Sequence, residues 1–524
     1  MSETLQVRPA TSAMEAPDPR RWWVLVAMVF GLFMPMLDNL VVNVALPTIQ
    51  TKLSTGVSGL QWIIDAYTLT FASFMLTGGA LGDLYGRKRF FLAGLGVFVV
   101  GSLACGLSQS IEQLIAFRAL QGLGAAMLLP GTLSIITATF SGKERGAAIG
   151  IWAAMSGLAI AVGPLIGGFL VEHVSWQSIF FINVPIGIIG ATMALIVVRE
   201  SRDPTKSRRL DPPGLVTGTA GLFFLVYALI EGNDRGWTDG LILAAFGLAA
   251  ALLIAFFVIE SRREYPMLPL SFFKIPTFAA SNVVAAAVFF ALFGTTFFLS
   301  LYLQNVRGFS PVQAGIRLFP FTVMILIIAP VAGRLSDKYG SRWFMTFGTA
   351  TLALGLALMT RAQPDSSYLT VILPAMIVMG AGMASTMAPM TAAVMASVPV
   401  QRAGVASAAT NTSRELGGVF GIALLGAIVT SVFKRDFLAK LIGFGVPSQQ
   451  AHAIVDRASS SGAASGHTPP GAPAQAIEAV KASFTHAMHV GLWVAVGFAL
   501  LASVVSFVFV RTHVGQGEGG AGGH

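Results

Sequence analysis

Three carboxylates and three arginines stand where a membrane-embedded chain ordinarily has no charge. Asp38 interrupts "MLDNLVVNVALP" and is the lone charged side chain from Trp22 to Pro47. Asp65 lies in "QWIIDAYTL", Arg118 in "FRALQGLGAAMLLP", Arg317 in "QAGIRLFPF", and Arg414 and Glu415 are adjacent in "TSRELGG". A central Asp or Arg costs about 2.5–3.5 kcal/mol on the insertion scale, against roughly 0.3–0.6 gained per Leu, Ile, Phe or Val. Such residues face a bundle interior or a watery cavity and mark ion or substrate paths. Burial in a partly dry cavity favours the protonated carboxyl, and a nearby arginine favours the carboxylate. That balance lets such a group take up a proton on one side and release it on the other. A cationic compound competes with the proton for the same negative site, so exchange follows from one carboxylate serving both.

Each residue also has a plainer reading. Asp38 is either the exchangeable charge or a structural partner of Arg118 or of a helix end. Asp65, a turn or so into its span, is either a charge on an ion or substrate path or a solvated or capping residue near the interface. Arg118 sets a neighbour's proton affinity or forms a structural pair; as an obligate cation it does not shuttle the proton. Arg414 and Glu415 are adjacent and must point in different directions on a helix, which makes Glu415 the second proton or cation candidate. Arg317 is expected either as its partner or at the mouth. Asn43, Gln61, Tyr67, Gln121 and Asn411 are polar groups placed to line the path. Trp62 either stacks on a flat cation or belongs to an interfacial aromatic belt. Twenty Met residues suit an adaptable pocket or serve as bilayer filler. Glu231, in "EGNDRGW", reads as an interfacial loop residue.

The elements that must carry these residues are membrane helices. The chain of 524 residues is 55% hydrophobic and 11% charged, with mean hydropathy +0.74; soluble domains carry about 25% charged residues. Runs long enough to span, about 20 residues each, fall near 22–48, 60–81, 90–108, 111–133, 146–170, 178–198, 213–231, 239–260, 279–303, 311–333, 343–361, 368–390, 403–432 and 487–510. These are fourteen spans. Arg20–Arg21 precede the first span, and Lys and Arg recur after every second span, from Arg87–Lys88–Arg89 to Arg402 and Arg511. That side is expected to be the cytoplasm, with both termini on it. The net charge of +9 is therefore read as orientation and not as nucleic-acid binding. The loop 433–486, with "RASSSGAASGHTPPGAPAQA", reads as a flexible external linker. The first 21 residues lack a signal-peptide core, so the first span is expected to be retained.

The chain repeats itself. Gly79, Leu81, Asp83, Tyr85, Gly86 and Lys88 of "GGALGDLYGRKRFF" align with Gly333, Leu335, Asp337, Tyr339, Gly340 and Arg342 of "AGRLSDKYGSRWF". Each copy follows the second helix of a group of six. Arg87 joins Lys88 and Arg89 around Asp83, where charge pairing is expected to lock one face and to break as the halves rock. Gly163–Pro164 and Gly167–Gly168 set small residues along span five for close packing and a bend.

These stretches resemble the fourteen-helix drug:proton antiporter family of the major facilitator superfamily, close to pumps for quaternary ammonium compounds. "LDNLVVNVALP", "GDLYGRKR", "AIAVGPLIGG", "WQSIFFINVPIG" and "SLYLQNVRGFSPVQAGI" carry the resemblance along nearly the whole chain. It implies an all-α integral membrane fold with a tail at 1–21, a six-helix bundle at 22–205, an inserted hairpin at 206–265, a second bundle at 266–511 and a tail at 512–524. It implies proton-driven export of drugs, dyes and organic cations by a monomer in a bacterial cytoplasmic membrane. In that family the Gly-Pro motif marks exporters, Arg118 heads a motif linked to proton transfer, and the quaternary-ammonium pumps carry an acidic residue at the place of Asp65. Export of an endogenous metabolite, antibiotic or lipid is the alternative, and a scaffold or sensor that lost turnover is a third.

Other chemistry is not expected. There is no GxxxxGK[ST] loop for ATP, and no nucleophile–base pair for an enzyme. Cys105 is the single cysteine, so neither an intrachain disulfide nor a Cys-based metal site is expected. His486 and His489 read as interfacial and not as metal ligands. No cofactor is called for beyond the proton gradient.

Overall fold

The computed structural model describes residues 19–140, 142–202, 212–263, 268, 270–398, 403–460, 466 and 474–511. The α-helices are α1 (Arg21–Lys52), α2 (Val57–Tyr85), α3 (Arg87–Leu107), α4 (Ile111–Thr139), α5 (Gly142–His173), α6 (Ser178–Phe181), α7 (Asn183–Val197), α8 (Pro212–Arg235), α9 (Gly240–Arg262), α10 (Pro276–Leu301), α11 (Pro311–Tyr339), α12 (Ser341–Met359), α13 (Leu373–Ala396), α14 (Ala403–Gly443), α15 (Ser448–Ser460) and α16 (Ala474–Phe509). Each apolar run falls on one of them, α6 and α7 together making the sixth. Among the described residues, twelve helices are long and apolar enough to cross a membrane, where fourteen spans are expected. The other two, α2 and α5, are helices of 29 and 32 residues.

Local chemistry sets several helix starts. Ser310 accepts from the Gln313 amide in a capping box, with Pro311 in the first turn of α11. Asp239 caps α9 through the Leu241 amide at 2.9 Å. The repeated loop forms the same turn twice: Gly86 between α2 and α3 has φ 122°, and Gly340 between α11 and α12 has φ 87°. Glycine populates that left-handed region at no steric cost. At Gly86 a Cβ would also meet the Glu200 carboxyl at 2.7 Å.

The two groups of helices pack alike. In the first half α4 packs on α2 and α3, and α1 on α5; in the second, α13 packs on α11 and α12, and α10 on α14. The halves meet along two equivalent seams, α5 with α11 and α2 with α14. We call the side carrying the start of α1 and the end of α16 the terminal face, and the opposite side the far face.

Two local expectations are corrected. The stretch 433–486 is not one long linker: α14 runs on to Gly443, α15 follows, and α16 begins at Ala474. Phe433, Phe437 and Leu441, spaced one turn apart, bury against the same core as Ala451, Val455 and Phe484, so helix continues where an apolar stripe has a partner. The 461–465 and 467–473 parts of the linker, the tails 1–18 and 512–524, and Arg402 lie outside the described residues. Glu231 is not in a loop: α8 continues through it to Arg235.

Candidate ion and cargo site

Asp38 of α1 lies at the centre of a buried polar network. Its Oδ2 accepts from Arg118 Nη1 of α4. Its Oδ1 accepts from Gln121 Nε2 at 2.8 Å and from Asn183 Nδ2 at 2.9 Å. Arg118 donates again to Gln121 Oε1 at 2.7 Å and, through Nε, to the Ile63 carbonyl of α2 at 3.0 Å. Asn183 of α7 reaches Ser102 of α3 at 3.0 Å. The Arg118 guanidinium lies 4.3 Å from the Tyr67 ring centroid. Asp38, Arg118, Gln121 and Asn183 are all 0% exposed.

Of the two readings of Asp38, the second named a partner in Arg118, and the structure has that pair, fully buried. The physical reason is that two amide donors and one guanidinium converge on its two oxygens, which offsets the cost of burying the charge. Tyr67 and Gln121, expected as path-lining groups, are partners of the same arginine. Sequence reasoning missed Asn183 and Ser102, although Asn183 lies in the quoted "FFINVP".

Asp65 is the opposite case. It is 1% exposed, and neither carboxylate oxygen has a hydrogen-bond partner. On α2 it falls between Gln61, whose amide donates to the Ile422 carbonyl of α14 at 3.4 Å, and Leu69, which packs with Val419 of α14. Helical spacing therefore turns Asp65 toward the α2–α14 seam. Glu415 of α14 shares a face with Val419 and Ile422 by the same spacing; it is 5% exposed, and its Oε2 has no partner. Glu415 lies within electrostatic range of Tyr67, as do Asp38 and Arg118. The seam thus holds two buried carboxyl groups from different halves, next to the buried network.

The adjacent arginine diverges from Glu415 as its spacing required. Arg414 donates to Thr391 Oγ1 of α13 at 2.9 Å and to Asn411 Oδ1 at 3.2 Å. Asn411 is thus an arginine partner. Arg317 is not the partner of Glu415. It sits by the far face over Phe309, 3.8 Å from the ring centroid, and donates to the Gln313 carbonyl. Asn43 donates to Asn39 O of its own helix at 2.8 Å, and its carbonyl accepts from Ser300 of α10 at 2.7 Å. Trp62 is held at its ring edge: its Nε1 donates to Glu231 Oε1 at 3.2 Å. His486 lies 3.4 Å from Asp436, and His489 meets the Ala362 carbonyl at 2.7 Å.

The small residues of α5 serve two neighbours rather than one face. A Cβ at Gly163 would lie 2.9 Å from Leu40 and one at Gly167 3.0 Å from Val41, both on α1. At Gly168 it would lie 2.7 Å from the Pro311 carbonyl, and at Gly315 2.2 Å from the Pro164 carbonyl, both across to α11 or from it. Near these glycines Glu172 accepts from Ser310 Oγ at 2.5 Å and from the Val312 amide at 3.0 Å.

The basic loops bind within their own halves. Arg87 reaches the Ser134 carbonyl at 3.4 Å, and Lys88 Nζ the Leu195 carbonyl at 2.8 Å. Glu200, which sequence reasoning did not single out, accepts from the Lys88 and Arg89 amides at 3.0 and 3.2 Å and caps α3. Arg342 lies 4.6 Å from the Phe507 ring centroid of α16. A Cβ at Gly79 would touch Pro130 at 3.4 Å and one at Gly333 would touch Ala388 at 3.5 Å, the same helix contact in each repeat. The side chains of Asp83 and Asp337 lie outside the described residues.

Comparison with known proteins gives a consistent picture. Residues 28–422 match the family model described as Major Facilitator Superfamily. The multidrug resistance protein Stp of Mycobacterium tuberculosis is 38% identical over 408 residues, 78% of this chain and 75% of that protein. The tetracenomycin C resistance and export protein of Streptomyces glaucescens is 35% identical over 499 residues, 94% of this chain and 92% of that one. Among solved structures, a bacterial homologue of the human lysosomal transporter Spinster, inward-facing and unoccupied, superposes with TM-score 0.61 at 20% identity, covering 95% of this chain and 99% of that one.

Proposed function

Because the chain belongs to the Major Facilitator Superfamily, a family of transporters and not of enzymes, we propose that it is a proton-coupled exporter of amphipathic, cationic compounds. Its relatives are multidrug and antibiotic resistance transporters. The observation that carries the finer reading is the Asp65 carboxyl, buried in the α2–α14 seam with both oxygens unpartnered. An isolated buried ion costs several kcal/mol. The group is therefore stable when it holds a proton or faces a bound cation, and one carboxyl does not satisfy both at once. Glu415 supplies the same chemistry from the second half. Asp38 and Arg118 act differently: the Arg118–Ile63 bond ties their network to the backbone two residues before Asp65, so they set the position of α2.

Alternating access then consists of the two halves rocking about their seams, with the carboxyls reached from one face at a time. In this reading the Arg/Lys-rich terminal face is cytoplasmic, the membrane is the bacterial cytoplasmic membrane, and the working unit is a monomer. The test uses purified protein in proteoliposomes with an imposed pH gradient. Asp65→Asn is expected to abolish gradient-driven export of divalent organic cations and to keep that of monovalent ones. Unchanged transport of both would refute the assignment.

A second reading has its own support. Relatives carry names of chemically distinct antibiotics, such as tetracenomycin C and puromycin. Export of an endogenous product through the same seam predicts that such compounds drive proton release from the liposomes while quaternary ammonium dyes do not.

A further inference from the structure

The inserted hairpin lies outside both repeats, yet its first helix covers the seam that holds Asp65. α8 packs against α2 of one half and α14 of the other. Val226 and Phe223 of α8 close on Trp62 and Leu69 of α2 and on Leu416 and Val419 of α14. Two polar links set the register of α8 on α2. The Thr77 and Thr219 hydroxyls are 3.2 Å apart near one end, and Trp62 Nε1 donates to Glu231 Oε1 at 3.2 Å near the other. Toward α14 the contacts of this cluster are apolar side chains. Hydrogen bonds fix a direction, whereas apolar contacts allow sliding. Arg235 holds the second Glu231 oxygen at 2.6 Å and so fixes the carboxylate itself.

Trp62 precedes Asp65 by three positions, the spacing at which helical side chains are neighbours. With its indole N–H pinned, the Trp62 ring has one orientation beside an unpartnered buried carboxyl. We propose that α8 forms the third wall of the cargo site and that Glu231 is its positioning residue, holding the Trp62 ring for flat, delocalised organic cations. This rests on the reading of Asp65 as the cation-recognition group. A fixed aromatic face attracts such cations through its quadrupole and offers more contact to a flat ring system than to a compact aliphatic ammonium.

The test compares transport of ethidium and of tetraethylammonium by the full chain in proteoliposomes. Glu231→Ala removes the acceptor, Trp62→Phe removes the donor but keeps a ring, and Glu231→Gln keeps an acceptor oxygen. Glu231→Ala and Trp62→Phe are expected to raise the KM for ethidium about fivefold, the effect of losing one hydrogen bond of ordinary strength. Tetraethylammonium transport should stay near its original KM, and Glu231→Gln should restore most of the ethidium affinity. An unchanged ethidium KM in Trp62→Phe, or equal losses for both cations, overturns the proposal. If Glu231→Ala does not reach the membrane, Trp62→Phe and Glu231→Gln decide the question. Loss of divalent-cation export in Asp65→Asn together with unaltered Glu231 and Trp62 variants overturns the hairpin's role alone. Full export of divalent organic cations in Asp65→Asn removes the underlying reading as well.

Discussion

The two seams between the halves occupy equivalent places in the repeat and are built in opposite ways. Along α5–α11 backbone meets backbone: Gly315 faces the Pro164 carbonyl and Gly168 the Pro311 carbonyl, with no room for a methyl group. Glu172 then binds the first turn of α11 through Ser310 and the Val312 amide. Along α2–α14 side chains meet, and among them are two buried carboxyl groups with oxygens left unpartnered. The inserted hairpin covers this second seam. The difference separates two tasks. A glycine-packed seam holds the halves close, which suits the pivot of the proposed cycle. A seam of side chains sets buried carboxyl groups from both halves along one interface, and the proposed exchange of proton for cation rests on them. One symmetric architecture supplies both because the residues placed in each seam differ.

The largest effect should come from filling the tight seam. Gly315→Leu places atoms where the Pro164 carbonyl stands, so loss of export and of thermal stability is expected together, the latter by several kcal/mol as in other overpacked sites. A thermal-shift assay on purified protein checks it; an unaltered melting temperature would show that the seam is looser than described. Next comes the buried network. Asp38→Ala leaves Arg118 as an unpaired buried charge, expected to cost about 3–5 kcal/mol. Asp38→Asn with Arg118→Gln should cost less than the two single changes added together, which a double-mutant cycle reads directly.

The third contrast is the sharpest between the two kinds of carboxylate. Asp65→Asn removes a charge that lacks a partner, so the melting temperature should hold or rise while gradient-driven export of divalent cations falls at least tenfold. Were Asp65 a paired carboxylate like Asp38, stability would fall with it. The smallest effect is expected at Glu172. Glu172→Ala removes a cap from α11, worth about 0.5–2 kcal/mol, and should raise the accessibility of a far-face cysteine such as Gln304→Cys to a membrane-impermeant thiol reagent. No change in labelling would show that the cap does not help to close that face.

Much of the fold was legible because bilayer solubility imposes length and polarity on each span, and because the loop repeat marks the two halves twice. The apolar runs land on helices, and the aligned glycines at 86 and 340 both take positive φ. The candidate residues were legible as a set and not in their roles. Asp38 and Asp65 have the same cost in sequence, one charge in an apolar run. What distinguishes them is whether donors from α4 and α7 converge on the carboxylate, and donors 80 and 145 positions away along the chain leave no local signal. Glu231 was misplaced for a related reason: the Gly, Asn and Asp after it read as a turn, whereas packing on α2 and α14 keeps α8 helical through Arg235.

The amino-acid sequence by itself determined that this is a membrane transporter of two related halves, since hydropathy, charge placement and an internal repeat are properties of residues in order. Tertiary structure alone decided which carboxyl is satisfied and which is not, which seam is glycine-tight, and that the hairpin touches both halves. Those outcomes depend on which side chains from distant helices converge at one point, and convergence in three dimensions has no counterpart in spacing along the chain.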